Sequence, residues 1–171
     1  EINRDLLEEE SETIQKLLKS KIHEYRLTAL EILVAKYEKT KDKKLKEKIY
    51  KFYLKNTKSI NNWDLVDLSA SYIVGDYLLN KPRDILYKLL KSKNLWERRI
   101  AIVSTFAFIR KEEFLDSFKI ADILMKDDHD LIHKATGWML REIGKRDKNL
   151  LINFLYKNGK AMPKIMFRYS I

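Results

Sequence analysis

The chain contains no cysteine and only four glycines and two prolines. Without cysteine it can form neither a disulfide scaffold nor a Cys-ligated zinc site, and it has no thiol nucleophile. Because β-sandwiches and barrels need many Gly- and Pro-rich turns, the scarcity of both residues argues against an all-β fold. The most apolar stretch, residues 100–109, is too short to cross a bilayer. Residues 1–4 carry no signal-peptide pattern, so we expect an intracellular, cytoplasmic location.

Positive charge is what the chain has in excess. Its 171 residues include 35 Lys and Arg against 25 Asp and Glu, which gives a formal net charge of +10. This excess favours a polyanionic partner, either nucleic acid or an anionic membrane surface. The length fits one domain over residues 1–171. No phosphate-binding glycine loop, dinucleotide-binding fingerprint or Gly-x-Ser-x-Gly elbow occurs, so kinases, nucleotide hydrolases and serine esterases lack their usual motifs here.

An internal repeat with helical periodicity is the strongest signal in the sequence. Residues 16–21 (KLLKSK) recur at residues 88–93, and weaker copies at 52–55 and 123–126 divide this offset into units of about 36 residues. Apolar residues recur every three or four positions within the units, as helices require. The pattern predicts an all-α fold, an α-solenoid of HEAT-like helical hairpin repeats with a concave basic face. With one inserted place allowed, Arg26 aligns with Arg99.

The repeat also predicts which residues share a surface. The second helix of each unit is predicted to begin near one of four positions, which align in a stacked array: Arg26, Trp63, Arg99 and Lys134. Trp63 and Asp67 are four residues apart, as are Lys134 and Trp138, so each pair lies on one side of its helix. These residues also have simpler interpretations. Both tryptophans could be core residues, Asp67 could favour a helix start, and the two cations could be exposed surface residues.

A metal site is not predicted. His129 and His133 have a spacing that suits two ligands, but no third ligand at fixed geometry is evident. The segment 127–130 (DDHD) fits better as a loop that ends in a helix cap.

Three separated motifs carry a family resemblance. They are residues 62–67 (NWDLVD), 95–101 (LWERRIA) and 134–142 (KATGWMLRE), and residues 23–26 (HEYR) match an earlier repeat. Together they resemble the AlkD-type alkylpurine DNA glycosylases, a DNA alkylation repair family of HEAT-like repeats, over nearly the whole chain. The family has about two further helices upstream, which this chain is expected to lack.

The resemblance implies hydrolysis of the N-glycosidic bond of cationic N3- or N7-alkylated purines in duplex DNA. It places the catalytic carboxylate at Asp67, the two sugar-facing indoles at Trp63 and Trp138, and a phosphate-clamping guanidinium at Arg99. We also expect three further cations to contact DNA, namely Lys134, Arg98 and Arg26. The expected partner is double-stranded DNA that carries alkylated purines. No cofactor, metal, membrane or obligate protein partner is expected, and no lysine has an evident Schiff-base context, so the enzyme would be monofunctional.

Two other functions fit the same pattern. A non-catalytic HEAT-repeat protein could bind branched or damaged DNA through the same groove. A protein-binding HEAT scaffold is the third interpretation, and it predicts weak DNA affinity with little salt dependence.

Overall fold

The computed structural model describes residues 11–171, and all regular structure in that range is helical. The helices are α1 (11–18), α2 (His23–Lys39), α3 (Lys43–Lys55), α4 (Trp63–Asp67), α5 (Asp84–Leu89), α6 (Leu95–Ser104), α7 (Phe106–Ile109), α8 (Leu115–Leu124), α9 (Asp130–Gly144), α10 (Lys148–Asn158) and α11 (Lys164–Ser170). A 3₁₀ turn, Thr57–Ser59, precedes α4, and a π-helical turn, Ser71–Gly75, follows it. Within residues 11–171, no helix combines the length and the apolar character that a membrane span needs.

The helices stack as successive hairpins. In the two central hairpins the first helix packs against the second, α5 against α6 and α8 against α9. The second helices then lie side by side in the order α2, α4, α6, α9, α11. A row of this kind buries the apolar face that one hairpin cannot cover alone. The arrangement confirms the predicted all-α class and is consistent with an α-solenoid.

Three second helices begin earlier than predicted, and side-chain caps account for two of them. The carboxamide of Asn94 accepts from the backbone N–H of Trp96 at 3.0 Å, and the ring of His129 accepts from that of Leu131 at 3.2 Å. Such caps satisfy backbone donors that have no partner inside the helix. α6 and α9 therefore start at Leu95 and Asp130, whereas α2 starts at His23 without a side-chain cap. Only α4 starts where the repeat placed it.

Arg26 and Arg98 fix the register of the repeat. Nη1 of Arg26 donates to the carbonyl oxygens of Ser20 and Lys21 at 2.9 and 3.0 Å. Nη1 of Arg98 donates to those of Ser92 and Lys93 at 3.0 and 3.2 Å. Because both arginines satisfy the same two carbonyls of the loop before their helix, they occupy equivalent positions. The alignment of Arg26 with Arg99 through an inserted place was therefore wrong.

Gly75 allows the second helices of two neighbouring hairpins to approach closely. A Cβ atom at this position would lie 2.2 Å from the carbonyl oxygen of Ser104 at the end of α6. Only glycine leaves room for this contact. The close approach brings the helix that carries Asp67 next to the helix that carries Arg99.

Candidate functional site

Asp67 and Arg99 form a bidentate ion pair between α4 and α6. Nε of Arg99 donates to one carboxylate oxygen of Asp67 at 2.9 Å, and Nη2 donates to the other at 2.7 Å. Nη1 donates to the carbonyl oxygen of Leu131 in the first turn of α9. Three consecutive second helices are therefore joined at one point. The Arg99 side chain is 6% exposed and that of Asp67 is 20% exposed, so the interpretation of Arg99 as an exposed surface residue was wrong.

The environment of the pair shifts the protonation of Asp67. Burial raises the pKa of the Asp67 carboxyl, because a low-dielectric surrounding disfavours its charged form. The hydrogen bonds and the charge of Arg99 oppose this rise, whereas the negative charge of Asp64 adds to it. The pKa of Asp67 stays above its ordinary value. Arg99 therefore offsets only part of the free-energy cost of keeping the Asp67 carboxylate ionised in this partly buried position.

Trp63 lies on the same helix and is exposed. It is the first residue of α4, where the carboxamide oxygen of Asn62 accepts from its backbone N–H at 2.8 Å. Its exposed fraction is 52%, so the interpretation of Trp63 as a core residue was wrong. Asp64 lies 2.7 Å from Nε2 of His23 and ties the first turn of α4 to α2. An indole that is held at a fixed helix start and left open to solvent is available to a ligand.

Trp138 and Lys134 both lie on α9 and are half-buried. The Trp138 ring packs against the core on one side, and its centroid lies 5.8 Å from that of Phe106 in a tilted arrangement. Nζ of Lys134 lies 5.8 Å from the ring centroid of Tyr169. Trp138 therefore combines a packing role with a partly open face.

The other two predicted DNA-contact arginines are half-buried and donate to groups within the protein. Arg98 forms a bidentate ion pair with Asp127, in addition to its contacts to loop carbonyls. Arg26 donates to its two loop carbonyls, and its Nε is buried without a partner in the described part of the chain. Contact of Arg26 and Arg98 with DNA stays a prediction.

Tyr72 and Phe106, which were not predicted as site residues, lie in a row with the predicted Trp138. Tyr72, Phe106 and Trp138, here called the aromatic stripe, lie on three neighbouring second-helix segments. The guanidinium carbon of Arg110 lies 5.1 Å from the ring centroid of Tyr72 and 4.9 Å from that of Phe106. Beyond Tyr72 a cavity of about 390 Å³ opens between α2 and α7. Helical spacing from Asp67 and Arg99 could have suggested these rings, but the π-helical turn after α4 displaces Tyr72 by one position.

The loop before α9 provides the cap of that helix. Nδ1 of His129 serves as the α9 cap, and Oδ1 of Asp127 accepts from the His129 backbone N–H at 3.0 Å. This confirms the interpretation of residues 127–130 as a capping loop. No group of three or more potential ligands is found within residues 11–171.

Comparison with protein families gives the decisive match. A sequence model described as DNA alkylation repair enzyme matches residues 1–171, the whole chain. The chain belongs to the DNA alkylation repair enzyme family. A search of curated proteins finds no significant match.

Family membership supports a DNA repair role with DNA as the substrate. Family membership also indicates an enzyme. The Asp67–Arg99 pair and the neighbouring Trp63 are the candidate residues for its chemistry. The pairing of Arg99 with Asp67 had no signal in the sequence. The two residues are 32 positions apart, and no spacing rule connects them.

Proposed function

We propose that the protein is a monofunctional DNA glycosylase that removes cationic N3- or N7-alkylated purines from duplex DNA. The single observation that carries the proposal is the Asp67 carboxylate, held by Arg99 beside the exposed indole of Trp63. A carboxylate on a DNA-facing surface would repel phosphates, so a purely electrostatic DNA binder gains nothing from it. A carboxylate is useful where positive charge develops during a reaction.

The chemistry needs one carboxylate rather than two. Ordinary glycosidases use a second carboxylic acid to protonate the leaving group. An N3- or N7-alkylated purine already carries a positive charge, so its departure needs no proton. As the bond from C1′ to the purine nitrogen breaks, its electron pair neutralises the base and positive charge develops on the sugar. The oxygen of a water molecule bonds to C1′, and its proton passes to Asp67 or to solvent.

The geometry of the ion pair leaves room for this role. Each carboxylate oxygen has two lone pairs, and Arg99 occupies one on each oxygen of Asp67. The remaining lone pairs can accept from a water or face the sugar. Arg99 thus orients the carboxylate, and the indole faces of Trp63 and Trp138 would flank the developing cation.

Replacing Trp63 by alanine is expected to slow excision without unfolding the protein. The ring is 52% exposed, so its removal should change the free energy of unfolding by no more than about 0.5 kcal/mol. Loss of one ring face beside the sugar cation should slow the rate about tenfold. Single-turnover release of 7-methylguanine measures the rate, and Tyr156→Ala, which removes a 93% exposed ring on α10, is the matched control. Equal rates for the two variants would remove Trp63 from the site.

The pH dependence of excision should report Asp67. The carboxylate must be ionised to stabilise a cation, and burial raises its pKa. Activity should therefore be full at neutral pH and fall on the acid side with an apparent pKa above the ordinary Asp value of about 3.9. Single-turnover rates on preformed lesions across an acidic pH series measure this limb. A rate that stays constant through that range would contradict the assignment.

The non-catalytic alternative has one observation in its favour. A bidentate pair that joins three helices could serve structure alone. Incubation with methylated genomic DNA, followed by identification of the released bases, separates the two functions. Release of 3-methyladenine and 7-methylguanine supports the glycosylase, and tight duplex binding without release supports the alternative.

A further inference from the structure

The three predicted DNA-contact arginines already have partners within the protein. The guanidinium groups of Arg26, Arg98 and Arg99 are engaged with carbonyl or carboxylate oxygens of the protein itself. Arg98 and Arg99 each donate through all three nitrogens and have few N–H groups left for a phosphate, and the Nε of Arg26 is buried. A DNA-binding face needs cations whose donors are free, since phosphate contacts provide most of the affinity.

Arg110 and Lys111 meet this requirement at the far end of the aromatic stripe. Both are exposed, and neither forms an ion pair with another residue in the range 11–171. The Arg110 guanidinium lies between the rings of Tyr72 and Phe106. Stacking of this kind orients the planar group while its N–H edge stays available for a phosphate.

The charges around the cavity do not cancel these two cations. Arg110, Lys111 and Lys46 line it together with two carboxylates. The carboxylate of Asp76 accepts from the Tyr37 hydroxyl at 2.9 Å and lies 3.4 Å from Nζ of Lys46, so it is already compensated. The other carboxylate, Glu38, is exposed. Its single negative charge is smaller than the combined charge of Arg110 and Lys111, so the lining of the cavity is net positive.

Arg110 lies too far from the candidate site to share a phosphate with it. Arg110 follows Arg99 by eleven residues along α6 and α7, or about 16 Å at 1.5 Å per residue. Neighbouring phosphates of one strand advance about 3.4 Å along the duplex axis, and the minor groove is about 6 Å wide. A cation about 16 Å from Arg99 therefore reaches a different phosphate from those that flank the sugar at Asp67, either several nucleotides along the same strand or on the opposite strand.

We propose that Arg110, assisted by Lys111, holds a backbone phosphate of the bound duplex that is distinct from the phosphates flanking the sugar at Asp67. The inference rests on the proposed function, because that function places one strand of a duplex at Asp67. In this proposal, Tyr72 and Phe106 of the aromatic stripe position the guanidinium group of Arg110 that binds the phosphate.

The test is a salt titration of binding to undamaged DNA, which needs no excision. Fluorescence anisotropy gives the affinity of wild type and of Arg110→Gln for a duplex and for its single strand at several salt concentrations. Loss of one phosphate contact should reduce the slope of log affinity against log salt by about 0.9 for the duplex. A loss on the duplex alone places this phosphate on the strand opposite Asp67, and a loss on the single strand as well places it on the same strand. Lys119→Gln, the same charge change at an exposed site on α8, should leave both slopes unchanged.

Three controls keep the outcomes distinct. Arg110→Lys retains the charge and should retain most of the duplex slope. Lys111→Gln, which removes a cation without a ring contact in the described structure, should lower the duplex slope in the same direction even if Arg110→Gln folds poorly. Unchanged duplex slopes in both Gln variants overturn the inference and leave the proposed function in place. Wild-type protein without salt-dependent duplex binding overturns the proposed function itself.

Discussion

Asp67→Asn is expected to abolish excision of cationic purines while duplex binding is retained. A carboxylate about 4 Å from a developing cation contributes about 4 kcal/mol at an effective dielectric of 20. Its loss corresponds to roughly a thousandfold in rate. Removing a negative charge from a DNA-binding face should, if anything, tighten binding to phosphates. The substitution should therefore lower the rate of excision while it leaves the affinity for duplex DNA unchanged or higher.

The measurements are single-turnover release of 7-methylguanine and anisotropy with an undamaged duplex. Asp122→Asn removes an exposed carboxylate from α8 and serves as the matched control, with wild-type rates expected. Asparagine keeps one carbonyl oxygen that can accept from Arg99. The buried guanidinium loses its anionic partner, so the variant should fold with reduced stability, which a thermal melt measures. Excision at the wild-type rate in folded Asp67→Asn would leave the ion pair with a structural role and favour the non-catalytic alternative.

The fold class followed from the sequence because its signals are local. Periodic apolar residues specify a helix, and a repeated hairpin specifies a stack. Helix starts depend on caps such as Asn94 and His129, so α6 and α9 begin four residues before the predicted positions. The repeat register failed at Arg26 for a different reason. Arg98 and Arg99 are adjacent and identical in type, so the sequence could not show which of them is equivalent to Arg26. Their side chains have different partners in the structure.

The candidate site was predictable only in its composition. The spacing of Trp63 and Asp67 placed them on one helix, and the exposure of Trp63 agrees with a ligand-facing role. The partner of Asp67 could not be inferred, because long-range ion pairs have no sequence period. Arg110 was missed since its importance depends on rings from two different hairpins.

Arg99→Gln is expected to destabilise the protein and to shift the pH profile of excision. It leaves the Asp67 carboxylate, 20% exposed, without its cation, and removing one member of a buried pair costs about 3 kcal/mol or more. Because the hydrogen bonds and charge of Arg99 lower the pKa of Asp67, their loss should raise it further. The acid limb should therefore move to higher pH, and activity should recover as the pH rises.

A double-mutant cycle with Asp67→Asn separates this positioning role from the phosphate clamp that the family resemblance implies. If Arg99 acts through Asp67, Asp67→Asn/Arg99→Gln should be more stable than Arg99→Gln alone, because no unpaired carboxylate remains. Arg168→Gln, at an exposed position on α11, controls for the loss of one cation. A phosphate clamp predicts a different pattern, in which Arg99→Gln keeps wild-type stability and pH dependence but loses about 0.9 in the salt slope of duplex binding. That result would assign Arg99 to the DNA backbone and leave Asp67 to be held by its own helix.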